Sequence, residues 1–401
     1  MNKWKNNNSW WVSNFNYKEE VTKQFNFQKS IQIHDATLRD GEQTPGVVMR
    51  KQEKVEIAKR LSEIGVQRIE AGMPAVSEED RQAIADINKL NLNSKIFGFV
   101  RAKNEDLIMS KECGVQGVII EVPLSKPKLE MQFKWGIDRV IYDSVSAIKK
   151  AKELGLYTVY FPYDTTRADE SDLEKVLSAI MKETPPDSIG LVDTMGSALP
   201  ATIGYMTRLL KDKTGLPVEI HTHNDFGLAL ANSLQALLSG ASVVHTCANG
   251  IGERTGNCAL EEVIVALKVL YGLENNYNIE KIVELSEYLE EVTGYKVALN
   301  KPIVGKGNFT RESGIGADAL LNTPLAMFAL NPKILGRSPK LVLGKKSGLA
   351  SINVKLDEFG IELDEEIKRL LLNDVKSAGQ EKKRLVTDEE FLDFVKKYKK
   401  I

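Results

Sequence analysis

A chain of 401 residues, 42% hydrophobic and 27% charged, is long enough to bury a sizeable core, and its length fits one barrel of roughly 250 residues plus an appended region. Its formal net charge of -1 gives no global field for nucleic acid or an anionic membrane, and Lys and Arg are scattered among Asp and Glu. No apolar run reaches bilayer length and the polar start Met1-Asn-Lys-Trp-Lys-Asn-Asn-Asn lacks a signal-peptide core, so a cytoplasmic protein acting on a small molecule is expected.

Residues 1–30 carry Trp4, Trp10, Trp11 and Phe15 among Asn and Lys and read as an N-terminal extension. From residue 31 short β-branched runs alternate with longer amphipathic stretches, the pattern of βα units in a parallel sheet. Strands are predicted near Ile31-Gln-Ile-His-Asp, Val66-Gln-Arg-Ile-Glu, Lys95-Ile-Phe-Gly-Phe-Val, Val115-Gln-Gly-Val-Ile-Ile-Glu, Tyr157-Thr-Val-Tyr-Phe, Ser188-Ile-Gly-Leu-Val-Asp, Val218-Glu-Ile-His-Thr-His and Ser242-Val-Val-His-Thr. Between the first two, Val55, Ala58, Leu61 and Ile64 recur at helical spacing and Gly65 ends the pattern. Ser77 with Asp80 opens the next helix as a capping box. Eight strands, each followed by a helix, predict an α/β fold, a TIM (β/α)8 barrel over residues 31–275, with an open eight-stranded sheet as the fallback. Beyond residue 275 come a long helix, a Gly-rich stretch from Pro302 to Gly316 and a Lys-rich helical end. Residues 276–401 are therefore assigned to a mainly helical C-terminal region. Cys113, Cys247 and Cys258 fit neither a disulfide framework nor a structural zinc site and are expected to be reduced packing residues.

Catalytic groups of such a barrel sit at the C-terminal ends of its strands, and four such ends carry concentrated polar residues. They are Leu38-Arg-Asp-Gly-Glu-Gln43, Asp193-Thr-Met-Gly196, His221-Thr-His-Asn-Asp225 and Asn249-Gly-Ile-Gly-Glu-Arg-Thr-Gly-Asn257. His221 and His223, two apart on a strand, project from one face, as two ligands of one ion must. With Asp40 they make a two-histidine, one-carboxylate set that leaves positions open for substrate, and the Asn257 side-chain oxygen is a weaker fourth ligand. Such a site suits Mn, Mg, Zn, Co or Fe. A pair of core histidines with satisfied hydrogen bonds is the alternative. An open divalent ion suits a 2-oxo acid, whose carboxylate and keto oxygen chelate it. Arg39, beside Asp40, can supply fixed charge to a developing alkoxide, or brace the Asp40 loop by a salt bridge. Thr194 is a substrate-carboxylate donor or a turn-stabilising threonine. Gly250-Ile-Gly-Glu-Arg-Thr-Gly256 departs from the dinucleotide-binding spacing and follows the last strand, so it reads as a wall of the site or a brace. Gly344-Lys-Lys-Ser347 reads as a turn.

These segments, with Ile69-Glu-Ala-Gly-Met-Pro74 and Leu341-Val-Leu-Gly-Lys-Lys-Ser-Gly348, resemble the metal-dependent acyl-CoA condensing family of 2-isopropylmalate, homocitrate and citramalate synthases, related more distantly to 3-hydroxy-3-methylglutaryl-CoA lyase. The resemblance spans roughly residues 31–350. It implies Asp40, His221 and His223 as ligands of a divalent cation, Asn257 near or on it, Arg39 as electrophilic partner of the keto oxygen, acetyl-CoA as co-substrate, and a homodimer. The Asn-Gly-Ile-Gly-Glu-Arg loop resembles the synthases, so condensation of acetyl-CoA with a 2-oxo acid outranks carbon–carbon cleavage by a lyase or aldolase. A non-catalytic metabolite-binding paralogue is the third reading.

Two departures from the family matter. Where the synthases usually carry His-x-x-Gly-Ile-His, this chain reads Arg311-Glu-Ser-Gly-Ile-Gly316, and His34, His221, His223 and His245 account for all four histidines. The usual histidine relay is thereby absent, leaving Glu312, Asp318 or Tyr295 as replacement bases. The chain also resembles members without a leucine-sensing C-terminal domain. Glu121, at the end of the fourth strand, falls where substrate contacts lie. An acidic group there disfavours a second substrate carboxylate unless a cation such as Arg167 compensates.

Overall fold

Eight parallel strands close into a barrel in a computed structural model that describes residues 3–6, 8–274 and 276–398, the side chains of residues 317 and 318 excepted. The strands are β1 (Gln32–Asp35), β2 (Arg68–Glu70), β3 (Lys95–Arg101), β4 (Gly117–Pro123), β5 (Tyr157–Tyr163), β6 (Ser188–Asp193), β7 (Val218–Thr222) and β8 (Val243–Thr246). Each pairs in parallel with its sequence neighbours, and β8 pairs with β1 to close the ring. The expected (β/α)8 barrel is the observed fold, and the open sheet is not.

Helix α1 (Lys51–Ile64) buries Ile57, Ala58, Leu61 and Ile64, and Gly65 ends it at φ 100°, a left-handed conformation that glycine adopts without a Cβ penalty. Helix α2 (Glu78–Lys89) starts as expected: Ser77 Oγ accepts the Asp80 N–H at 3.0 Å and donates to its carboxylate at 2.6 Å.

Inside the barrel, Phe97, Phe99, Ile119, Val159, Phe161 and Val192 pack together. The large rings fit because neighbouring strands place glycine beside them. A Cβ on Gly117 would lie 2.4 Å from the Phe97 ring, and one on Gly190 2.3 Å from the Phe161 ring. Gly190→Ala is therefore expected to lower stability by about 1–3 kcal/mol through overpacking. An unchanged urea midpoint would contradict this account of the packing.

The chain divides into two compact units, Asn16–Val297 and Met1–Phe15 with Ala298–Ile401. The barrel unit is thus wider than 31–275. The helix Ile282–Thr293, placed by sequence in the C-terminal region, packs on α1, with the Arg60 guanidinium 4.4 Å from the Tyr288 ring centroid. Residues 16–30 also belong here: the Asn26 N–H reaches the Leu238 carbonyl, and Phe25 and Phe27 pack on Tyr271. The other unit pairs Thr310–Arg311 with Lys340–Leu341 and carries the helices Leu349–Glu358, Glu365–Lys382 and Asp388–Tyr398 around Leu343, Ile352, Leu371, Val375 and Phe391. Within it Trp4 and Trp11 pack together and the Trp11 N–H bonds the Ala329 carbonyl, so the first residues belong with the last. Gly344–Ser347 is a turn, closed by the Ser347 N–H on the Gly344 carbonyl. The three cysteines are buried and form no disulfide, and among the described residues no helix is long and apolar enough to cross a membrane.

Candidate active site

At the C-terminal mouth of the barrel lies a cavity of about 200 Å3. Asp40, on the turn after β1, and His221, on β7, both enter it, as does His223. His223 stands one residue beyond the end of β7, held there by a bridge to Asn257. The two-residue spacing still brings both rings together: their Nε2 atoms are 3.4 Å apart, and Asp40 Oδ2 lies 3.2 Å from His221 Nε2 and 3.8 Å from His223 Nε2.

Burial pushes His221 down and His223 to about 4, so both imidazoles are neutral at pH 7 despite the carboxylate beside them. Burial would raise the Asp40 carboxyl most, but the Arg39 charge and the two histidines together outweigh it and hold the group well below the usual carboxylate range. Asp40 Oδ1 and Asn257 Oδ1 are buried with no hydrogen-bond partner. A carboxylate, two neutral imidazole nitrogens and an orphaned amide oxygen form the donor set of a divalent cation, and burying such acceptors against one another is unfavourable without positive charge between them. Asp40, His221, His223 and Asn257 thus fit the expected ion.

The Gly250–Gly256 loop braces this arrangement. Gly252 N–H bonds Thr44 Oγ1 at 2.8 Å, tying it to the Asp40 loop, and Gly256 C=O accepts the Asn224 N–H at 3.0 Å, tying it to the histidine loop. Gly256 has φ +82°, and a Cβ there would fall 1.9 Å from the Gly250 carbonyl oxygen, so the brace tolerates no side chain.

Arg39 is held on three sides. Its Nε bonds Glu70, its Nη1 lies 3.2 Å from Asp40 Oδ2, and its guanidinium carbon stands 4.2 Å from the Phe99 ring centroid. Burial disfavours its charge, yet Glu70 and Asp40 prevail and raise its pKa further above the ordinary arginine value. Glu70 escaped the sequence reading. Its position at the C-terminal end of β2, in Ile69-Glu-Ala-Gly, was the available signal.

Behind Glu70 a ladder of charge runs down the barrel interior. Glu70 bonds His34 Nε2 at 3.0 Å, and His34 stacks on His245 with centroids 4.3 Å apart. His245 Nε2 bonds Glu219 at 2.9 Å, and Glu219 also takes Arg68 at 2.7 Å and Ser188 at 2.6 Å. His34, Glu219 and His245 have the composition of a second metal site. His34 Nε2 and the Glu219 carboxylate are already engaged by Glu70, Arg68 and Ser188, and a cation would meet the Arg68 charge. The ladder's role is to fix Glu70 and hence Arg39.

His245, pushed down from 6.5 to about 4 by burial, refuses a proton that the unfolded chain accepts. Between those values it contributes a loss of stability as pH falls, up to about 1.4 kcal/mol per pH unit. Asp35, pushed up to about 6 by burial, acts in the opposite sense. The readout is therefore a difference: chemical denaturation at stepped pH should give a smaller acid-side loss in His245→Gln than in wild type. Parallel curves would contradict the burial of a neutral His245.

The remaining expected site residues separate. Thr194 lines the cavity, and its Oγ1 accepts the Asp164 N–H at 2.9 Å. Glu121 also lines it. Arg167 does not: Asp164, three residues earlier, binds its Nε at 3.0 Å and its Nη2 at 2.5 Å. Tyr295, just past the helix Ile282–Thr293, is 46% exposed and does not line the cavity. Glu312 belongs to the other compact unit, where its carboxylate accepts the Lys346 N–H at 2.8 Å and secures the Gly344 turn. The Asp318 side chain lies outside the described residues. Gln43, Phe99, Phe161, Tyr163, Val192 and Glu253 complete the lining and were not singled out from sequence.

The HMGL-like family model matches residues 30–289, and the model for the homocitrate synthase post-HMGL domain-like region matches residues 303–383. A homocitrate synthase AksA of Methanothermobacter thermautotrophicus is 38% identical over 96% of this chain and 97% of its own length. A 2-isopropylmalate synthase of Methanocaldococcus jannaschii is 37% identical over 93% of this chain and 74% of its own, and that organism's (R)-citramalate synthase CimA is 37% identical over 91% and 74%. Among solved structures, the Bacillus subtilis HMG-CoA lyase superposes with a TM-score of 0.61 at 20% identity, over 68% of this chain and 96% of that one, a likeness of fold. The barrel, its mouth and these matches along nearly the whole chain lead to one conclusion: the protein belongs to the HMGL-like family, alongside the homocitrate, 2-isopropylmalate and citramalate synthases.

Proposed function

We propose that the chain is an acyl-CoA:2-oxo acid C-acyltransferase that condenses acetyl-CoA with a 2-oxo acid, giving a 2-hydroxy-2-carboxymethyl acid and CoA. The observation that carries this reading is the convergence of Asp40, His221 and His223 at the cavity that also holds Arg39 and Thr194. Relatives named as synthases, matched over most of the chain, support condensation over cleavage.

Asp40, His221 and His223 would hold a divalent cation, with Asn257 Oδ1 as a further donor. Bound there, the ion supplies Lewis acidity toward a keto carbonyl. Arg39 presents a guanidinium already fixed by two carboxylates, so its charge meets a developing alkoxide with no reorganisation. Thr194 Oγ1 accepts a backbone N–H, which leaves its own proton for the substrate carboxylate. Removal of a proton from the acetyl methyl gives the carbanion that attacks the keto carbon, and the alkoxide formed takes up a proton to become the 2-hydroxyl. Water then cleaves the thioester, releasing CoA thiol and a proton.

The test is thiol release from acetyl-CoA with Mn or Mg and a panel of 2-oxo acids: pyruvate, 2-oxoisovalerate, 2-oxoglutarate and oxaloacetate. The reading expects release that requires a 2-oxo acid and stops on chelation. Silence from folded, metal-loaded protein across the panel, or cleavage of a 3-hydroxyacyl-CoA in its place, would contradict it.

A further inference from the structure

Resting on the synthase reading, we infer that the acceptor is a 2-oxo monocarboxylic acid whose side chain ends in a hydrogen-bond donor, an amine, guanidine or hydroxyl, and that the Glu121 carboxylate selects it.

Barrel geometry sets the direction. The donor set stands on the loops after β1 and β7, which flank β8, and β4 lies four strands from β8 either way round the ring. Glu121, at the C-terminal end of β4, is therefore across the mouth from the ligands. A 2-oxo acid with its carboxylate and keto groups at Asp40, His221 and His223 points its side chain there.

What the side chain meets is acidic and aromatic. Glu121 lines the cavity with Phe99, Phe161 and Tyr163, and among the described residues it makes no hydrogen bond or ion pair. The arginines that would adapt this wall to a second carboxylate are occupied. Arg101, its register partner on β3, is clamped by Asp106 at 2.8 and 2.9 Å. Arg167 is clamped by Asp164, and Arg39 by Glu70 and Asp40. Lys128, whose field also reaches Glu121, bonds the Gln132 side-chain oxygen at 2.8 Å, with its ammonium 4.9 Å from the Tyr163 ring centroid, and its charge favours the ionised form of Glu121 that a donor acid would meet. A distal carboxylate would thus face a second carboxyl group, with Arg101, Arg167 and Arg39 already held by acids. A donor satisfies Glu121, and a cationic one gains the aromatic faces as well. Burial pushes the Glu121 carboxyl up to about 7, so a cationic donor that pairs with it also draws it into its ionised form.

The experiment measures two quantities on metal-loaded protein: calorimetric binding of each 2-oxo acid without acyl-CoA, and acetyl-CoA thiol release. The acids are 4-hydroxy-2-oxobutanoate and 5-guanidino-2-oxopentanoate as donors, 2-oxobutanoate as apolar control, and 2-oxoglutarate as diacid. A donor acid should exceed 2-oxoglutarate roughly a hundredfold in affinity and in kcat/KM. Glu121→Gln should narrow that gap at least about tenfold. Thiol release favouring 2-oxoglutarate would overturn the inference and leave the synthase reading standing. Donor-selective binding without thiol release would sink the synthase reading and leave the selectivity. Collapse of kcat with every acid in Glu121→Gln would overturn the selectivity role in favour of a proton-transfer one.

Discussion

Replacing His221 with alanine is expected to remove tightly bound divalent metal and to lower kcat/KM by roughly three orders of magnitude or more. The imidazole is one of two neutral nitrogens closing on Asp40 at 3.2 and 3.8 Å, so its loss leaves a carboxylate, one nitrogen and the weaker amide oxygen of Asn257, too few strong donors to hold the ion against water. Folding should survive, because the ring sits at the wall of a cavity. Metal content after dialysis and thiol release, read on the same sample, check this. A variant that kept both stoichiometric metal and activity would place the ion elsewhere.

Arg39 is the second large effect, and two substitutions divide its roles. Arg39→Lys keeps a positive charge but loses the planar fork that spans Glu70 and Asp40 and lies on Phe99. It is expected to lower kcat roughly a hundredfold, with a smaller change in KM, since its charge acts mainly as the alkoxide develops. Arg39→Ala leaves the buried Glu70 and Asp40 carboxylates without their counterion and should also cost about 3–5 kcal/mol of stability. Equal stability losses in both variants, with wild-type kcat in Arg39→Lys, would make the residue a brace alone.

The strands were legible because each couples a β-branched run to a polar turn, and that pairing repeats eight times. The histidine pair was legible for a similar local reason, two residues of a scarce type at strand spacing. Glu70 was not. Its importance comes from Arg39 and His34, brought to it by barrel closure at sequence separations of 31 and 36. Arg167 misled because its charge was visible while its capture by Asp164 depends on the short helical turn Thr165–Arg167. Tyr295 and Glu312 were chosen for chemistry alone. Exposure removes the first from the cavity, and the second is spent on a backbone N–H. The unit boundary was misplaced because the amphipathic pattern of Ile282–Thr293 announces a buried face without naming the core it joins, which is that of α1.

The most direct test of the central claim follows the carbon–carbon bond. Protein stripped of metal and then reloaded is given isotopically labelled acetyl-CoA and an accepted 2-oxo acid, and the product is weighed by mass spectrometry. The account predicts a hydroxy diacid or its donor-bearing analogue that carries both labelled acetyl carbons, formed by the reloaded protein and absent from the stripped one. Label recovered only as free acetate, or a condensed product formed equally well without metal, would contradict it.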